Sequence, residues 1–156
     1  MSEILSMKSL RAAVANCSID TVIAAFPDMQ GRLMGKRFHA KFFVDNAWEE
    51  THCCNYLIAT DLEMETVDGY ESTSWSAGYG DYVMRPDLDT LCVLPWLEGT
   101  ALVLCDLLDH HTHELVPHAP RTVLKQQLKR AADLGLAMMA ATELEFFVFR
   151  ETFETI

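Results

Sequence analysis

Hydrophobic and polar positions alternate with different periods along this chain, and the period changes mark its elements. Residues 1–17 carry a weak helical spacing through Ile4, Leu5, Leu10, Ala13 and Val14. A β-branched apolar run over 21–26 predicts a strand, Pro27-Asp28 a turn, and 30–38 the returning strand of a hairpin. Residues 44–57 can form one helix, with Asp45 or Asn46 as its N-cap. The stretch 58–67 reads as extended, and the Gly-, Ser- and Tyr-rich stretch 68–80 as loop. Short strands follow at 82–84 and 91–94, separated by a turn at Pro86-Asp87. Residues 100–108 (TALVLCDLL) are almost continuously apolar, the pattern of a central strand. After a polar loop, Pro120 opens a helix that runs to about Leu134, where Gly135 fits the position just past its end. Its apolar stripe is Val123, Leu124, Gln127, Leu128, Ala131 and Ala132, with Lys125, Lys129 and Arg130 outside it. A last strand is expected over 136–149.

That last run holds the most suggestive chemistry. In Glu143-Leu144-Glu145-Phe146-Phe147 a strand would point both glutamates to one side, roughly 6–7 Å apart. Two like charges on a half-buried strand are costly unless cations neutralise them, and oxygen ligands suit magnesium or manganese. The competing reading is that both glutamates face solvent while Leu144, Phe146 and Val148 face a core, as on any half-exposed strand.

Composition narrows the classes. With 156 residues, half of them hydrophobic, a core can form. A net charge of −11, from 23 acidic and 12 basic residues, argues against nucleic acid and anionic membranes as partners. No apolar run is long enough to span a bilayer, and the first residues lack the apolar core of a signal peptide. Five cysteines with no CxxC spacing suggest reduced thiols and a cytoplasmic protein, not a disulfide framework. Cys53-Cys54, in the expected 44–57 helix, read as buried thiols. Asp109-His110-His111-Thr112-His113 invites a metal, but no further ligands complete a set by spacing, and a solvated loop is the plainer reading. Trp75 and Trp96 are by default core or interface aromatics.

Asp28-Met29-Gln30-Gly31-Arg32-Leu33-Met34-Gly35-Lys36-Arg37, with the motifs that follow it in order, resembles the glutamine synthetase family, this stretch matching its first hairpin. Val67-Asp68-Gly69, Trp75 and Gly78-Tyr79-Gly80-Asp81 resemble its ammonia-side loop, and Arg85-Pro86-Asp87, Thr90-Leu91 and Leu94-Pro95-Trp96 follow at the expected spacing. Ala119-Pro120-Arg121-Thr122, Leu134-Gly135 and Glu143-Leu144-Glu145 resemble the opening of its catalytic domain. Where the ammonia-using branch reads Asp-Gly-Ser-Ser, this chain reads Asp68-Gly69-Tyr70-Glu71, which is closer to the branch that joins glutamate to amines, including γ-glutamyl-polyamine synthetases.

The resemblance implies an α+β chain. Residues 1–17 would be an N-terminal extension, 18–117 a β-grasp domain, and 118–156 the incomplete start of a catalytic domain. It implies an ATP-dependent ligase that forms a γ-glutamyl amide from glutamate and ammonia or an amine, through γ-glutamyl phosphate, in a homo-oligomer of stacked rings. Glu143 and Glu145 match the family's metal ligands for Mg2+ or Mn2+. Asp68 matches the carboxylate that takes a proton from the incoming ammonium, and Asp81 a carboxylate close to it. Trp75 matches an aromatic that packs against a neighbouring subunit's site, and Glu71 could hold the distal cation of a polyamine. The chain by itself is expected to be inactive. The alternative, from another class, is a non-catalytic β-grasp module for oligomerisation or partner binding.

Overall fold

A computed structural model describes residues 4–76 and 78–155. Helix α1 (Met7–Ala15) opens on a capping box: the Ser9 backbone N–H donates to Ser6 Oγ at 3.1 Å, and the Ser6 backbone N–H to Ser9 Oγ at 2.8 Å. Strands β1 (Thr21–Pro27) and β2 (Leu33–His39) form the hairpin expected from the sequence. A single turn, α2 (Ala40–Phe42), continues into a π-helical turn at Phe43–Ala47. Strand β3 (Thr51–Cys54) leads into a 3-10 turn at Asn55–Ile58. Strands β4 (Asp81–Val93) and β5 (Thr100–Asp109) are long, and helix α3 (Pro120–Asp133) follows.

The five strands make one mixed sheet in the order β2-β1-β5-β4-β3. The β1–β5 pair is parallel and the other three are antiparallel. The continuous apolar run of β5 lies at its centre because both faces of that strand are covered. Ala101, Val103, Cys105 and Leu107 share one face of β5 and belong to the same core cluster as Val22, Ala24 and Phe26 of β1 and Leu10, Phe43 and Val44. The opposite parity of β5 carries Asp106, which meets α3.

Four expectations are corrected. The helix over 44–57 does not form. Helical backbone stops at Ala47, and Thr51–Cys54 becomes a strand because it pairs with 81–84 of β4. Cys53 is therefore buried while Cys54, on the other parity, is exposed. The two short strands at 82–84 and 91–94 are one, since Pro86 pairs with Cys105 inside β4. Beyond Met84 strand β4 has no β3 neighbour, and an open edge tolerates a residue without an N–H. The ladder irregularity comes later, between Asp87 and Cys92. Finally, 136–149 is not a strand. Every residue in it is exposed and it takes part in no ladder. Its alternation is real, but a strand is stable only against a neighbour, and none meets it among the described residues.

Candidate functional site

The segment 61–80 carries Asp68, Glu71 and Trp75, and it is tied down at both ends. At its start Asp61 Oδ1 accepts the backbone N–H groups of Glu63 and Glu65 at 3.0 and 2.9 Å. Arg32 reaches across from the hairpin, donating from Nη2 to the Asp61 carbonyl at 2.8 Å and from Nη1 to that of Leu62 at 2.9 Å. Arg32 is itself held by Asp28, whose Oδ2 accepts from Nε at 2.6 Å and whose Oδ1 accepts the backbone N–H groups of Gln30 and Arg32 at 2.9 and 2.8 Å. Burial alone would push the Asp28 carboxyl up. The Arg32 guanidinium and the two N–H donors outweigh it, and the carboxyl is held below its ordinary range. The hairpin motif around Gly31 thus builds a bracket for the loop.

At the far end the loop closes on the turn at Asn55–Ile58. Thr73 Oγ1 donates to Asn55 Oδ1 at 2.9 Å, and the backbones of Asn55 and Gly80 pair at 2.9 Å. Trp75 rests edge-on against Tyr79, centroids 5.2 Å apart, and Tyr79 against Tyr56 at 5.6 Å. Trp75 nonetheless remains 77% exposed, as does Trp96 at 76%, so neither is a core aromatic here.

Asp68, Glu71 and Trp75 line one open cleft of about 580 Å³ together with Tyr70, Ser74 and Ser76. Asp81 lies elsewhere, at the start of β4, and lines a larger cleft of about 1040 Å³ with Tyr82, Asp109, His110, His111 and His118. Glu71 and Tyr70 border both clefts. The structure thus brings Asp68 together with Glu71 and Trp75, while Asp81 shares a cleft with Glu71 alone of these.

Glu143 and Glu145 are exposed and line neither cleft. Among the described residues no three His, Cys, Asp or Glu side chains converge to hold a metal. Two carboxylates alone are nevertheless a donor set that suits magnesium or manganese when phosphates and water complete the shell. The histidine run is a loop built on Asp109, whose Oδ1 accepts the backbone N–H groups of His111 and Thr112 at 2.9 and 2.8 Å. His110 touches His52 and His111 edge-on, with centroids 5.4 and 5.3 Å apart.

One cluster escaped the sequence reading. Arg121 and Lys125, one turn apart on α3, grip Asp87 of β4 and Asp106 of β5. Arg121 Nε donates to Asp106 at 2.8 Å and Nη2 to Asp87, while Lys125 Nζ donates to Asp87 at 2.9 Å and to Asp106 at 2.7 Å. The signal was present: a lone acid inside the central apolar run 100–108 must find a partner. The helical spacing, which leaves Lys125 outside the apolar stripe, does not reveal that partner.

Comparison with known proteins follows from this geometry. Residues 117–155 match the family described as glutamine synthetase, catalytic domain. The γ-glutamylethanolamide synthetase of Streptomyces coelicolor is 52% identical over 151 residues, covering 96% of this chain and 32% of that protein. The glutamate–isopropylamine ligase of a Pseudomonas species is 35% identical over 148 residues, covering 94% and 32%. A solved structure of GmaS with ADP superposes with a TM-score of 0.59 at 22% identity, covering 86% of this chain and 26% of that one. The chain spans about a third of the length of the curated relatives it matches.

Proposed function

The chain belongs to the glutamine synthetase family, on its γ-glutamyl-amine side, and from that premise we propose that it is the amino-terminal third of an ATP-dependent ligase joining glutamate to an amine. Its mixed sheet would be the β-grasp domain of that ligase, and α3 with 136–149 the start of the catalytic domain. The working enzyme would be a cytoplasmic homo-oligomer of stacked rings. One juxtaposition carries the proposal: in a chain of this family, Asp68, Glu71 and Trp75 line one cleft that has no lysine, arginine or histidine among the described residues that line it.

The chemistry assigns roles to those side chains. Glutamate's γ-carboxylate takes the terminal phosphoryl group of ATP, releasing ADP. An amine then attacks the γ-glutamyl carbon, the C–O bond to phosphate breaks, and amide and phosphate leave. An aliphatic amine is almost wholly protonated near neutral pH, with an ammonium pKa of about 10. It attacks only as the free base, so a carboxylate must take its proton, and that role would fall to Asp68. Glu71 adds a second negative charge and the Trp75 ring an apolar wall, a combination that favours organic cations over a neutral alcohol. Glu143 and Glu145 would hold Mg2+ or Mn2+, which when bound neutralises charge on the phosphates.

The test supplies what the chain does not cover. The 156 residues are joined to the remaining two-thirds of the Streptomyces relative, and amine-dependent phosphate release is measured with glutamate, ATP and Mg2+. Turnover is expected from the joined protein and none above blank from the 156 residues alone. Asp68→Asn should lower kcat by about 10²–10⁴-fold. Glu143→Ala and Glu145→Ala should abolish turnover. Glu71→Ala should reduce diamine use more than ammonia use. A joined protein that turns over normally after Asp68→Asn and Glu143→Ala would refute the assignment.

A further inference from the structure

The segment 70–80 is mostly exposed, yet it is fastened at one buried point. Thr73 is 1% exposed while Tyr70, Glu71, Ser72 and Trp75 around it are in solvent. Its hydroxyl donates to Asn55 Oδ1, and this is a buried contact between side chains 18 residues apart. The same oxygen accepts the Gly80 backbone N–H at 3.3 Å, and the Asn55 N–H donates to the Gly80 carbonyl at 2.9 Å. An N–H can only donate, so the Asn55 atom between Thr73 and Gly80 is the amide oxygen. One carbonyl therefore fastens the residue two before Trp75 and the residue just before Asp81. The next residue, Tyr56, supports Tyr79 and through it Trp75. Neither Asn55 nor Thr73 carries chemistry of its own, and no charge is consumed in the fastening.

We propose that Asn55, through Thr73 and Gly80, is the positioning residue that sets Trp75 in the Asp68–Glu71 cleft before an amine arrives. The role rests on the ligase reading above. A loop held in this way presents its aromatic and acidic groups in one arrangement, so the amine does not have to order them on binding. An apolar residue at 55 would leave the Thr73 hydroxyl and the Gly80 N–H without their acceptor and let the span between them drift. A serine at 73 keeps the donor, whereas a valine keeps the shape and loses it.

Amide hydrogen exchange on the 156-residue chain tests the fastening. Asn55→Leu and Thr73→Val should speed exchange over 72–80 about tenfold, the equivalent of one lost hydrogen bond. Exchange in β1 and β5 should stay within about twofold, because the core cluster lies outside the loop. Thr73→Ser should restore protection. In the joined ligase, Asn55→Leu should raise the KM for amine about tenfold and leave the KM for ATP unchanged. Faster exchange across β1 and β5 as well would make Asn55 a general structural residue and overturn the proposal. Unchanged loop exchange, or an unmoved amine KM, would overturn it too. The exchange measurement needs no ligase activity. A failure there counts against the fastening alone, whereas an unsubstituted joined protein without turnover refutes the ligase reading and this role with it.

Discussion

Replacing Arg121 with alanine removes one corner of a four-charge square that docks α3 on the sheet. Two charge-assisted hydrogen bonds go, each worth about 1.5–3 kcal/mol. Asp106 and Asp87 are left with side chains only 10% and 20% exposed, sharing the single cation of Lys125. Breaking a fully buried ion pair costs about 3–5 kcal/mol. Here one cation remains and water reaches Lys125, so the expected loss is smaller, about 2–3 kcal/mol. The matched control is Lys129→Ala. Its pair with Asp133 is 74% and 61% exposed and should be worth no more than about 0.5 kcal/mol. With a urea slope of about 2 kcal/mol/M, Arg121→Ala should lower the unfolding midpoint by about 1–1.5 M and Lys129→Ala by about 0.25 M at most. Far-ultraviolet circular dichroism reads the midpoint, and hydrogen exchange shows whether α3 loosens first.

Acid provides a second readout with a definite sign. Burial pushes Asp87 up, but the Lys125 hydrogen bond and the charges of Lys125 and Arg121 more than offset it, and its folded pKa is lowered. A lowered carboxylate contributes stability that is fully present above its unfolded pKa, near 4, and is lost as pH falls through the folded value. Wild type should therefore lose more stability than Arg121→Ala between about pH 5 and pH 2, and the two curves should converge. Lys125 runs the opposite way. Burial lowers it, hydrogen bonds to Asp106 and Asp87 raise it further, and the net is raised, so its share is lost only at strongly alkaline pH. A midpoint for Arg121→Ala equal to that of Lys129→Ala, or a difference that does not shrink in acid, would show that apolar packing alone holds α3.

Two further outcomes follow from local geometry. A Cβ at Gly35 would stand 2.1 Å from the Ala24 carbonyl oxygen and 2.8 Å from Ala25 Cα, both backbone atoms of the paired strand. Gly35→Ala should cost about 3 kcal/mol or more, seen as a collapsed urea midpoint or insoluble protein, and a near-wild-type midpoint would contradict the β1–β2 pairing. Burial pushes the Cys53 and Cys105 thiols up to about 12, so at pH 8 neither should react with iodoacetamide in the folded protein, whereas the exposed Cys17 and Cys54 should. Peptide mapping before and after urea reads this directly, and labelling of Cys53 as fast as Cys54 would refute the placement of β3.

What the sequence made legible divides along the range of the forces involved. The bounds of helix α3 were readable almost to the residue because their signals are local: Pro120 in the first turn and Gly135 just past the end, where φ is +75° and its N–H bonds the Ala132 carbonyl at 2.9 Å; its apolar stripe was not, since Val123, Leu124 and Leu128 are exposed. Strands β1 and β5 were readable because their apolar runs exceed what a loop can carry, and β2 because it returns after the Pro27-Asp28 turn. Thr51–Cys54 was not, because only its pairing with Tyr82 and Met84, some 30 residues on, decides that it is a strand. The site divides the same way. Asp68, Glu71 and Trp75 lie within eight residues and fall in one cleft. Asp81, grouped with them by the family resemblance, begins β4 and lines the other cleft. The run 136–149 marks the limit of local pattern. Leu144, Phe146, Phe147 and Val148 are each at least 80% exposed, so the alternation that announces a strand has no sheet to join among the described residues. Such a surface is costly for an isolated chain in water and expected of one that meets further polypeptide. The same neighbouring strand that would fix Glu143 and Glu145 on one face would turn Leu144, Phe146 and Val148 to the other, where a core could cover them. The metal assignment and the exposed apolar run therefore stand or fall together.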